Sequence, residues 1–257
     1  MKILYNSSDW LSFAGFTEET LNPYTNINSN SRTKYTRNYV ADNATLTATK
    51  TASQGNAVAL VFNKLLYPFK TTAGVENNCL LLVDGTYDQV YSSAVHTTNR
   101  GVVYWDVTQS TISSLAIAFA FASSGSTTFA QISNIFHGNV LDLVTNGFDL
   151  AFTFEYIDKT DKVYNDYNVA FTQNQKTASL RLDLSIRNMN KTELSSVLAW
   201  INACGKTKPF VLFVDETATI ITSKYDLGAV FMFHDIDKVH HKSFGLYDIS
   251  FSIIEVI

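Results

Sequence analysis

Short stretches in which apolar and polar residues alternate recur along the whole chain, and this twofold rhythm marks half-buried β-strands. In the first half it predicts strands over Ala57 to Asn63, Cys79 to Asp84, Val102 to Asp106, Leu115 to Ala122 and Phe129 to Phe136. The stretch Ser114 to Ala122 holds four alanines, yet Leu115, Ile117, Phe119 and Phe121 recur with period two, so a central strand is expected there. Alternating Thr and Ala around Leu46 predicts another strand within Thr45 to Ser53. The second half offers Phe152 to Tyr156, Tyr167 to Thr172, Ser179 to Arg187, Phe210 to Asp215, Ala229 to His234 and Tyr247 to Glu255.

One helix interrupts this rhythm. Asn190 stands where an N-cap belongs, and Glu193 three residues on completes a capping box. Leu194, Val197, Leu198 and Ile201 then fall on one stripe until Gly205 ends it. A helix over 190–204 would cover one face or an open end of a sheet, with Trp200 packed at its rim. A short helical turn is expected within Asp9 to Leu21, and the polar segment 25–37 reads as an arm or long surface loop. No 20- to 50-residue period repeats. The expectation is an all-β chain with one clear helix, in two modules: 1–139, and 140–257 carrying the helix. The boundary lies just after His137 and Gly138.

Composition narrows the function classes. Of the 257 residues, 46% are hydrophobic and 13% aromatic, enough for a real core, while only 16% are charged. The surface is therefore polar through Ser, Thr and Asn, which suit turns and strands. A net charge of -4 supplies no basic footprint for nucleic acid. Cys79 and Cys204 match no metal-binding spacing and are expected as buried free thiols. Neither a signal-peptide pattern nor a membrane-length apolar run occurs, so a protein made and kept in a cytoplasm, without membrane insertion, is expected.

Candidate chemistry is sparse. His234, Asp235, Asp237, His240 and His241 form the one dense group of metal-capable side chains, but without a known ligand spacing they read better as a solvated loop between strands. Asp158, Asp161, Asn165 and Asp166 depart from the EF-hand pattern and read as a polar turn. No nucleophile elbow or phosphate-cradling glycine loop occurs. No catalytic residue, cofactor or metal is expected. Tyr87, Tyr91, Tyr104 and Trp105 suit core filling, interfaces or stacking on sugars.

The order of features after Ser179 resembles tail structural proteins of tailed bacteriophages. The strand SLRLDLSIRNMN runs into the helix KTELSSVLAWINACG, then KPFVLFVD, YDLGAVFMF and FGLYDISFSIIEVI. The first half is similar to the front part of such proteins, with NSNSRTKYTRNY as the polar arm and TTFAQISNIFHGNVLDL leaving the first sandwich. The resemblance implies a jelly-roll-like N-terminal sandwich, similar to galactose-binding modules, followed by a β-sandwich with one helix. It further implies a ring-forming tail or baseplate subunit of the virion, assembled in the host cytoplasm. Its partners would be copies of itself and other tail proteins, and Arg32, Lys34 and Arg37 would lie in the interface arm.

Two rivals stand beside that expectation. A carbohydrate-binding module, directed at a host-surface glycan, would use Tyr104 and Trp105 as contacts. A polysaccharide-acting enzyme would need an acid pair drawn from Asp84, Asp106 and Glu155.

Overall fold

The computed structural model describes residues 1–5, 10–15, 36–37, 44–62, 78–84, 86–92, 102–107, 111–120, 131–143, 148–157, 161–164, 170–174, 179–213 and 229–256. These residues are mostly strand, with one α-helix. They divide into two compact units that are not consecutive halves of the chain. The first joins Met1–Asp142 to Phe210–Ala229, and the second joins Leu143–Pro209 to Val230–Ile257.

The first unit is jelly-roll-like and holds two antiparallel sheets. One runs in the order β15 (Phe210–Phe213), β1 (Lys2–Tyr5), β10 (Gln131–Asp142), β5 (Ala57–Phe62), β8 (Val102–Asp106), with β3 (Thr36–Arg37) also against β10. The other runs β2 (Ser12–Ala14), β4 (Ala44–Gln54), β9 (Thr111–Ala120), β6 (Asn78–Val83), β7 (Thr86–Ser92). β5 is buried at every position from Ala57 to Val61, so both of its faces are covered. In β4, Leu46 and Ala48 are buried and pair with Ile117 and Leu115 of β9, placing one alternating set inside. The Trp10 indole N–H donates to the Ile135 carbonyl at 2.9 Å and so ties the segment before β2 to β10.

One sequence expectation changes here. Residues 10–15 form no helix, because Ser12, Phe13 and Ala14 pair with Thr49, Ala48 and Thr47; the ladder hydrogen bonds outweigh local propensity. Asp84, a candidate catalytic acid, has φ 45° and spends its carboxylate on β9. Its Oδ1 accepts from Ser114 N at 2.7 Å, Ser113 Oγ at 2.8 Å and Ser113 N at 3.1 Å. Cys79 falls in β6.

The second unit is a four-stranded antiparallel sheet in the order β11 (Asp149–Ile157), β14 (Ser179–Met189), β18 (Tyr247–Glu255), β16 (Ala229–Ile236). β17 (His240–His241) also pairs with β18, and β12 (Asp161–Tyr164) forms a hairpin with β13 (Ala170–Asn174). Helix α1 (Lys191–Cys204) begins with the expected box. Asn190 Oδ1 accepts from Thr192 N and Glu193 N, and Glu193 Oε2 accepts from Asn190 N at 2.7 Å. Trp200 corrects the rim expectation: it is fully buried, its ring 4.8 Å from Phe233 and 5.1 Å from Phe251. It fills the space between helix and sheet because Phe233 and Phe251 face the helix side. Cys204, at the helix end, is a buried free thiol.

Candidate functional site

Alternation along β14 separates two kinds of surface. Leu180, Leu182, Leu184 and Ile186 are buried, while Arg181, Asp183 and Ser185 are half-buried and Arg187 is exposed. Because successive side chains in a strand point to opposite faces, the second set shares the sheet face away from Leu182 and Leu184. The register then fixes its neighbours: Thr153 and Ala151 of β11 stand opposite Asp183 and Ser185, and so do Ser252 and Ser250 of β18. On β16, Asp235 stands opposite Ser252 beyond an irregularity after Phe233.

These positions line a groove of about 670 Å³, walled on the β16 side by His234, Asp235 and Asp237. Its floor is made of small hydroxyl-bearing residues. Ser185 Oγ and Ser250 Oγ lie 2.8 Å apart across the strands, and Asp237 N donates to the Ser250 carbonyl at 2.9 Å. Two of its carboxylates are paired. Arg181 Nε donates to Asp183 Oδ1 at 3.1 Å, and Lys206 Nζ to Asp235 Oδ1 at 2.8 Å. The hydrogen bond from Lys206, with the Ile236 N–H behind it, holds the Asp235 carboxyl below the usual aspartate range.

The Arg187 end is braced by a polar network. Asn188, at φ 56°, donates its backbone N–H to Asp248 Oδ1 at 2.8 Å and its side-chain amide to Asp149 Oδ2 at 3.1 Å. Asn tolerates that left-handed backbone better than most residues. Lys242 Nζ lies 2.6 Å from Asp248 Oδ2 and 3.4 Å from Asn188 Oδ1. The Lys242 ammonium first, and the Asn188 N–H second, hold Asp248 below the usual aspartate range. The guanidiniums of Arg181 and Arg187 donate and the carboxylates of Asp183, Asp235 and Asp237 accept, so the groove presents both halves of what a polyhydroxyl ligand needs.

The structure treats the sequence candidates unevenly. Of the metal-capable group, His234 lies in the expected strand, β16, and Asp235 lies there too rather than in a loop, because pairing with β18 extends that strand to Ile236. His241 is instead stacked on Tyr247, ring centroids 4.9 Å apart. No group of three or more metal-capable side chains converges among the described residues. Tyr104 and Trp105 sit in β8 opposite Ala59 and Val58. Tyr87 and Tyr91 sit in β7 and Asp106 in β8. Arg37 is in β3, paired with Gln131 of its own chain, whereas Arg32 and Lys34 lie outside the described residues, as do Asp158, Asn165 and Asp166. Glu155 is exposed on β11 opposite Arg181. Arg181, Asp183, Ser185 and Arg187 went unnoticed as a site because alternating polar positions mark any solvated strand face.

Searches with family models and against curated proteins found no match. Several solved structures match about half of the chain. They include CBM32 of AlyQ in complex with 4,5-unsaturated mannuronic acid, at 14% identity over 51% of this chain and 96% of that one, TM-score 0.38. The family 32 CBM from C. perfringens NanJ in complex with galactose matches at 12% identity over 55% and 100%, TM-score 0.37. Reduced XRCC1 bound to the DNA pol beta catalytic domain matches at 10% over 53% and 98%, TM-score 0.36. TM-scores this low carry no argument about a ligand. The matching structures named here are carbohydrate-binding modules and XRCC1 rather than phage tail proteins, so the tail-subunit expectation finds no support and is withdrawn.

Proposed function

We propose that this chain is a non-catalytic carbohydrate-binding protein that holds sugar hydroxyls in the groove across β11, β14, β18 and β16. The observation that supports this reading is the lining itself. An open sheet face carries guanidinium and carboxylate groups, Arg181 paired with Asp183, over a floor of Ser185, Ser250, Ser252 and Thr153. Directional donors and acceptors at fixed spacing discriminate hydroxyl patterns, whereas an apolar floor would not. Phe152 also borders the groove, but its ring packs against Phe154, centroids 5.3 Å apart. Both belong to the other alternating set of β11, so sugar stacking is not the driving contact here.

An open, wet groove recovers little beyond the water contacts it replaces, so a single site is expected to bind with a Kd on the order of 0.1–1 mM. Glycan-array screening of the full chain, followed by calorimetric titration of the best hit, tests the reading. Arg181→Ala and Asp237→Asn should each weaken binding about fivefold or more, with Tyr104→Ala and Trp105→Ala leaving it unchanged. The reverse pattern would move the sugar contact to β8, and an array without a hit would end the carbohydrate reading.

A further inference from the structure

The groove has a direction. Its residues on β14 run from Arg181 to Arg187 along one strand, and six steps of about 3.4 Å give a track roughly 20 Å long. Among the described residues no side chain blocks it midway: the positions across the centre are Ala151, Ser185 and Ser250. Bulkier groups stand at the two ends and along the β16 wall. A site for one terminal sugar would instead close around a single point with walls on several sides.

Its charge is also informative. Among the described residues the lining carries Arg181, Arg187, Asp183, Asp235 and Asp237. Lys206, paired to Asp235, brings the cations level with the carboxylates. Arg181 is likewise committed through Nε to Asp183. A polyanionic chain would meet three carboxylates without an excess of cations to offset them. A polycation would meet the mirror-image problem.

Resting on the carbohydrate reading, we infer that the groove takes an uncharged, linear oligosaccharide laid along β14, in contact with the strand from Arg181 to Arg187. Each sugar unit covers part of the track, so affinity grows with chain length until the track is filled and then stays level. Since the ligand carries no charge, salt leaves the interaction nearly unaltered.

The test titrates the full chain by calorimetry with neutral β-1,4-linked gluco-, manno- and xylo-oligosaccharides of two, four and six units. Oligogalacturonate and chondroitin sulfate hexamers serve as acidic probes. At least one neutral series should gain about tenfold in affinity from two to four units and less than twofold from four to six. That binding should change less than twofold between 20 mM and 300 mM NaCl, estimates that follow from a track of fixed length and an uncharged ligand. Arg187→Ala, at an exposed strand position, should cost the longer chains about fivefold and the disaccharide little if the latter sits at the Arg181 end. Affinity independent of length, or preference for the acidic hexamers with steep loss in salt, would overturn the inference and leave the carbohydrate reading standing. Binding to none of the sugars, neutral or acidic, would overturn both.

Discussion

At the scale of single residues, two positions in the first unit show how closely the backbone and a side chain have been fitted. A Cβ added to Gly55 would stand 2.4 Å from His137 Nε2 and 2.7 Å from the Gly138 carbonyl oxygen. Gly55→Ala is therefore expected to cost about 2 kcal/mol, read as a lower urea midpoint with an unchanged slope. His137 itself is fully buried, its Nδ1 3.5 Å from Ser53 Oγ. Burial, and then the Lys50 charge, lower its pKa from 6.5 to about 4. The unfolded chain thus takes up a proton near pH 6.5 while the folded chain resists until about 4. The neutral ring's contribution is present in full above pH 6.5 and is lost progressively as the pH falls toward 4, a change of at most about 3 kcal/mol. Unfolding curves at pH 7, 5.5 and 4 should show that slope, and His137→Gln should flatten it; an unchanged slope in the variant would assign it to other groups.

At the scale of elements, α1 combines local and tertiary contributions. Asn190→Ala removes the acceptor for Thr192 N and Glu193 N and should cost about 1 kcal/mol, the usual worth of an N-cap. Trp200→Ala empties the space against Phe233 and Phe251 and should cost about 3–5 kcal/mol. Chemical denaturation of both variants separates the two: comparable losses would mean that the helix depends less on the sheet than its burial indicates. The strands show the same division of labour. β14 was legible from its Leu and Ile alternation, but its last residues depend on the Asn188 turn, where the register with β18 shifts between Ile186 and Met189. Ser12 to Ala14 carried no strand signal long enough to read and are strand only because β4 lies beside them.

At the scale of the whole molecule, the interleaving of the two units has a consequence for dissection. Lys2, Ile3 and Leu4 pair with Phe213, Leu212 and Val211, so the first unit is completed by residues that follow α1 in the chain. A fragment ending at Asp142 would lack β15 and expose the β1 edge beside buried Ile3 and Leu4, an invitation to aggregation. Residues 1–142 expressed alone are expected to aggregate or unfold about 5 °C or more below the full chain, roughly the effect of losing 2 kcal/mol in a domain of this size. Size-exclusion chromatography and thermal melts check this, and a monodisperse fragment of unaltered stability would show that β15 is dispensable. Sugar titrations accordingly belong on the full chain.

The sequence by itself determined the β-rich class, most strand positions and the capped helix, because each follows from the period of apolar residues or from contacts within four residues of chain. Only the tertiary structure decided that Trp200 lies in the core, that Asp84 serves β9 as a hydrogen-bond acceptor, and that residues 210–213 return to the first unit. The groove belongs to this second kind. Arg181, Asp183, Ser185 and Arg187 are visible in the sequence as a polar strand face, but what stands across from them is set by register. Serines from 65 residues away and a wall from β16 turn a solvated face into a site, and distance along the chain conceals that meeting.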